Sequence, residues 1–189
     1  MDGVTREVPA PFLVIATQNP AGSTGTQYLP EAQVDRFMVS LSLGYPDFES
    51  ELAMAKSISA EDRLEKVETV LDDWTLLKMQ EEIHDVFVRD RVYAYILELI
   101  RATRENPHVE RGASPRGTIA LVKMAKAAAY LAGRDYVIPM DVEEQFYYVS
   151  AHRVMLGGAA QIEGLSARQV LEEITGQVRK PPVGERRRP

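Results

Sequence analysis

The stretch ASPRGTIALVKMAKAAAYLAG, residues 113–133, constrains this chain more than any other. Ser114 is a good N-cap, and Pro115 takes the first helical position, where its missing N–H costs nothing. An Ala-rich apolar run follows, and Gly133 stands just past its end, so both helix boundaries are written locally. A helix this apolar needs other helices to cover it. The flanking sequence supplies them. Asp47 is placed to cap a helix through about Lys56, Asp72 or Asp73 one through Val86, and Asp90 another. That last one carries Val92, Ile96, Leu99, Ile100 and Thr103 at helical spacing. In PMDVEEQFYYVSAHRVML, Asp141, Glu143 and Glu144 come early and His152 and Arg153 late, matching the helix dipole. Ser166 and Gln169 have capping-box spacing, with Leu165 and Val170 as a hydrophobic staple.

The amino-terminal part has a different period. FLVIA (Phe12–Ala16) is a short, wholly apolar run, the pattern of a strand buried on both faces. FMVSLSL (Phe37–Leu43) alternates, with Val39, Leu41 and Leu43 on one side and Ser40 and Ser42 on the other. Two such strands form only a marginal sheet by themselves. The expected class is therefore mainly α with a small β part: two strands left from a larger sheet domain, then a helical bundle. The expected divisions are a sheet part over 1–46, a connecting helix and linker over 47–74, a bundle over 75–178 and a disordered basic tail over 179–189. The opening, MDGVTREVPAPF, reads as the middle of a protein, so a carboxyl-terminal fragment is expected.

Composition narrows the function. An apolar fraction of 45% supports a real core. A net charge of -6 argues against a chain that coats nucleic acid. The absence of cysteine removes disulfides, cysteine zinc sites and thiol nucleophiles, and fits a reducing cytoplasm. No apolar run approaches the ~20 residues of a membrane span.

Familiar catalytic constellations are missing. His84, His108 and His152 lack metal-ligand spacing and read as surface or helix-end histidines. AGSTGTQ has the glycines of a phosphate loop without the lysine and Ser/Thr of G-x-x-x-x-G-K-[ST], and that pattern occurs nowhere in the chain. No metal and no tightly held nucleotide are expected on these residues alone. Three polar residues stand out by position. Asn19 follows the FLVIA run, at the strand end where open α/β sheets place ligands; the alternative is a loop-capping Asn before Pro20. Arg36 ends a short helix ahead of the next strand; the alternative is an exposed arginine paired with Glu31 or Asp35. Arg116 lies in the first turn of its helix, beside the positive end of the dipole, and calls for an anion, with Glu110 as one candidate.

PFLVIATQNP, LPEAQVDRF, GYP, LIRATRENP and GASPRGTIALVKMAKAAAYLAGRDYVIPMDV, in that order, resemble the MoxR family of AAA+ ATPases. The resemblance covers the chain to about Leu156 and, more weakly, to about Val178. It implies that residues 1–46 end an αβα ATPase core and that 75–178 form a helical lid. It implies sensor 1 at Asn19, an in-trans arginine finger at Arg36 and a phosphate-reading sensor 2 at Arg116, acting in cis or in trans. It also implies ATP and Mg²⁺ as cofactors of the full-length protein, ring assembly as a hexamer, and remodelling or activation of client protein complexes. Family members often work with von Willebrand factor A-domain partners. The Walker A and Walker B segments are absent from these residues, so the fragment is expected to hydrolyse no ATP. Two departures are visible: GTQY stands where the family usually reads Gly-Thr-Tyr-Pro, and Gly117 replaces the usual Ala, at up to ~1 kcal/mol of helix propensity.

Two other readings compete. One is an AAA+ motor acting on nucleic acid, favoured only by the RKPPVGERRRP tail and opposed by the acidic balance. The other is a non-catalytic helical interaction module.

Overall fold

The computed structural model describes residues 5–18, 29–56, 67–182. They fall into two compact units, one of residues 1–15 and 41–81, the other of 16–40 and 82–189.

In the first unit, α2 (Phe48–Lys56) starts where Asp47 Oδ1 accepts the Ser50 N–H at 2.7 Å. The helix α3 (Asp73–His84), whose residues 73–81 belong to this unit, begins in the same way, with Asp72 Oδ1 accepting from the Thr75 N–H at 2.7 Å. Both caps satisfy a backbone donor that has no partner inside its helix. The expected strand at Phe12–Ala16 is not formed. Phe12 to Ile15 have no regular secondary structure, pair with no described strand and are 62–89% exposed. A strand buried on both faces exists only when neighbours take up its N–H and C=O groups. No described segment of this chain does so.

The second unit holds the core. Its described elements are α1 (Glu31–Val34), α4 (Asp90–Glu105), β1 (Val109–Arg111), α5 (Pro115–Leu131), α6 (Pro139–Ser150), β2 (Met155–Leu156), α7 (Gly158–Glu163) and α8 (Ala167–Gln177). Tyr95, Ile96, Leu99 and Ile100 of α4 meet Leu121, Ala125 and Ala129 of α5, Val142, Phe146 and Val149 of α6, and Val170, Leu171 and Ile174 of α8. Each large aliphatic side chain buried here stabilises by roughly 1.5–3 kcal/mol. The small alanines explain why α5 lies flush against α6.

Ser114 caps α5 by accepting the Arg116 N–H at 3.1 Å, and Gly133 (φ 71) ends that helix as expected. The Ser166–Gln169 capping box on α8 is reciprocal, and Leu165 and Val170 both join the core. Asp90 is not a cap: Arg89 holds that place without a side-chain bond, and Asp90 puts a negative charge in the first turn. The described strands pair antiparallel, Val109 with Leu156 and Arg111 with Met155. The mainly helical class with a two-stranded sheet therefore holds, but those strands lie among the helices.

The second expected strand has a different fate. Phe37–Ser40 bends at Phe37 and Met38 and lies against α6 without a sheet ladder. The Ser40 N–H donates to the Tyr148 carbonyl at 2.9 Å, and Val39 packs on the core. The Phe37 and Met38 carbonyls accept from Arg153. Side-chain and helix-end groups have taken the place of a partner strand.

Candidate functional site

Two of the residues singled out in the sequence lie at α1: Arg36 follows it closely, and Arg116 bonds to Asp35 between them. LPEAQV forms one short helical turn, held by Gln33 and Val34 N–H bonds to the Pro30 carbonyl at 2.8 and 3.1 Å. Asp35 and Arg36 follow immediately. Asp35 is the hub of a charged cluster that draws in two other parts of the second unit, the start of α5 and the segment just past α6.

Ser114 Oγ donates to the Asp35 carboxylate, 3.0 Å from one oxygen and 2.9 Å from the other, while capping α5. Arg116 Nη1 donates to Asp35 Oδ2 at 3.3 Å. From the end of α6, Arg153 Nε faces Asp35 Oδ1 at 3.2 Å, an ion pair without the alignment of a hydrogen bond. The Arg153 side chain is 2% exposed, and a buried guanidinium needs every donor answered. Its Nη2 donates to the carbonyls of Asp35 (3.0 Å) and Phe37 (2.6 Å). Its Nη1 donates to the carbonyls of Met38 (3.2 Å) and Val149. The aliphatic stem of Arg153 runs against the first turn of α5. A Cβ added at Gly117 would lie 3.3 Å from Arg153 Cδ, so the glycine leaves the stem room that an alanine would crowd.

Burial works against charge on Asp35. The hydrogen bonds from Ser114 and Arg116 and the charges of Arg153 and Arg116 outweigh it, and hold the carboxyl below its usual range. Burial pulls Arg153 below the ordinary arginine value, with Asp35 opposing. His152 is also held down, first by burial and then by Arg153. Its Nε2 lies 2.8 Å from Arg153 Nη1 and 3.1 Å from the Phe37 carbonyl. Arginine only donates, so a neutral ring accepts from Arg153 through Nε2.

Arg36 stands apart from this network. Both acids expected as its partners are engaged elsewhere: Glu31 pairs with Arg111 at 2.5 Å, and Asp35 with Arg116 and Arg153. Among the described residues no ion pair or side-chain hydrogen bond engages the exposed Arg36 guanidinium. The anion that answers Arg116 is Asp35, and Glu110 is not bonded to it. Asn19 lies outside the described residues.

The sequence offers Asp35 only as a neighbour of Arg36, and Arg153 only as a helix-end cation. Arg153 instead lies just past α6 and is buried. The usable signal is its setting, an arginine followed at once by Val154, Met155 and Leu156. An apolar run is poor surroundings for a solvated charge.

The described residues offer guanidinium groups suited to phosphate, and no group of three or more His, Asp or Glu able to hold a metal ion. A guanidinium is chemically suited to a phosphate. The described residues do not fit Mg²⁺.

Residues 1–39 match the family model "ATPase family associated with various cellular activities (AAA)", and residues 101–174 match the "AAA lid domain" model. The chain is 41% identical over 181 residues to the uncharacterized protein YeaC of Bacillus subtilis, covering 96% of this chain and 57% of the relative. It is 35% identical over 190 residues to Chaperone MoxR1 of Mycobacterium tuberculosis, covering 96% and 50%. It is 33% identical over 171 residues to Protein MoxR of Methylorubrum extorquens, covering 80% and 50%. The chain thus spans about half the length of the curated relatives it matches. The crystal structure of a candidate ATPase from Cytophaga hutchinsonii superposes with a TM-score of 0.84 at 38% identity, over 96% of this chain and 58% of that one.

Proposed function

This chain belongs to the MoxR family of AAA+ ATPases, and from that premise we propose that it supplies the finger and the lid of a ring-forming ATPase. Arg36 is its arginine finger, directed at the nucleotide of a neighbouring subunit. Arg116 is sensor 2 and Asn19 sensor 1. Residues 1–46 belong to the ATPase core and 75–178 to the lid. The full-length protein works in the cytoplasm as a hexamer, with ATP and Mg²⁺, and spends hydrolysis on remodelling or activating client complexes, together with a von Willebrand factor A-domain partner. The part that grips ATP lies outside these 189 residues.

One observation carries this reading: among the described residues the exposed Arg36 guanidinium has no ion-pair partner, although two carboxylates lie within its own short segment, each held by another arginine. A cation kept free in this way is suited to a phosphate that arrives from outside the subunit. Phosphoryl transfer builds charge on the equatorial oxygens, and a guanidinium placed there is the natural stabiliser. The carboxylate partners of Arg111, Arg116 and Arg153 keep that guanidinium uncommitted.

The test is Arg36→Ala in the full-length protein. ATP binding stays nearly intact while turnover falls by about 10³-fold or more. Normal turnover in that variant refutes the finger assignment.

A further inference from the structure

The structure assigns Asp35 a further role, resting on the finger reading of Arg36: we infer that Asp35 is a positioning residue that fixes the finger to the lid through Arg153. Three observations carry this. Asp35 is covalently adjacent to Arg36, so whatever fixes its backbone fixes the base of the finger. Its carboxylate is held by Ser114 at the start of α5, by Arg116 two residues on, and by Arg153 past the end of α6. Arg153 also grips the backbone on both sides of the finger, at the Asp35 carbonyl before it and the Phe37 and Met38 carbonyls after it.

Beside the clamp, the segment carrying Arg36 is held at its two ends, by the Glu31–Arg111 ion pair between exposed side chains before it and by the Ser40 N–H bond to the Tyr148 carbonyl and the packing of Val39 after it. The helix α1 itself is only four residues long and buries none of them, and residues 37–40 form no ladder with any described strand. Without the Asp35–Arg153 clamp, an exposed arginine on such a turn samples many positions. With it, the finger moves as part of the lid. A lid displacement in one subunit is thereby carried directly to the finger serving the next. Arg116 shares the same carboxylate, so recruiting it to a phosphate removes one of the cations on Asp35.

The experiment uses the full-length protein with Asp35→Asn and Arg153→Lys, beside Arg36→Ala. Both clamp variants are expected to bind ATP as before and to lose about 10²-fold in kcat with KM little changed, the scale of a misplaced catalytic group. Amide hydrogen exchange gives a readout independent of activity. Exchange over residues 31–40 rises at least about tenfold in both clamp variants, while α4 and α5 keep their protection. If Arg36→Ala loses turnover but the clamp variants keep wild-type kcat, or keep wild-type exchange over 31–40, the positioning role is overturned and the finger stands. If Arg36→Ala turns over normally, the finger reading fails instead. If both clamp variants lose protection throughout the lid, the role of Asp35 is purely structural and the inference is overturned.

Discussion

Asp35 Oδ1 lies 3.2 Å from Nε of the buried Arg153, 118 residues further along the chain. This contact joins the turn bearing Arg36 to the end of α6 and gives a half-exposed stretch of backbone its place. It also makes the unit sensitive to pH and to small changes nearby.

Acidification should weaken the second unit in two steps. His152 is held below its ordinary value of 6.5 by burial and by Arg153, so the unfolded chain takes up its proton first. Its contribution is complete above about pH 6.5 and falls as pH drops below that. Asp35 is held below 3.8, where burial is outweighed by Ser114, Arg116 and Arg153. Its contribution is present above that value and lost as pH falls through the lowered one. Urea midpoints across pH 3–7 measure both steps. His152→Gln should remove the upper step and Asp35→Asn most of the lower.

Gly112→Ala should destabilise the chain although Gly112 lies in no helix. A Cβ there would stand 2.6 Å from the backbone N of Arg104 and the C and O of Thr103. Backbone cannot rotate aside as a side chain can, so the loop before Ser114 must move off α4. The expected cost is about 1–3 kcal/mol by denaturant unfolding. A wild-type midpoint contradicts it.

Ser114→Ala removes the cap of α5 and a donor to Asp35 together. The cap alone accounts for about 1 kcal/mol. The carboxyl pKa of Asp35, followed by NMR, should rise in this variant because one of the bonds lowering it is gone. An unchanged Asp35 titration would show that the Ser114 bond is not formed in solution.

The 189-residue chain alone should turn over no ATP, since it lacks the P-loop pattern and its described residues hold no candidate metal site. Calorimetry at micromolar ATP should register no binding. A clear binding isotherm at that concentration contradicts the proposed division of labour.

The helices were legible because their signals are local. Ser114, Pro115 and Gly133 bracket α5 within one stretch, and Ser166 and Gln169 mark the start of α8. The strands were not, because pairing depends on what lies alongside. FLVIA reads as a buried strand, yet no described neighbour pairs with it, while Val109–Arg111 is too short to announce itself. The arginines of the candidate site could be picked out by position. The clamp could not: Asp35 and Arg153 belong together only after α4, α5 and α6 have packed. Gly117, a departure from the family pattern, acquires a local reason in the space it leaves for the Arg153 stem.

The most direct test of an in-trans finger is to mix two inactive full-length variants. One is Arg36→Ala, which keeps its own nucleotide grip; the other keeps Arg36 and has a disabled P-loop. Each alone should be nearly without turnover. Mixed, Arg36 of the second reaches the nucleotide held by the first, and hydrolysis should return to a substantial fraction of wild type. A mixture as inactive as its components, formed under conditions where mixed rings are verified, contradicts the claim that Arg36 serves a neighbour.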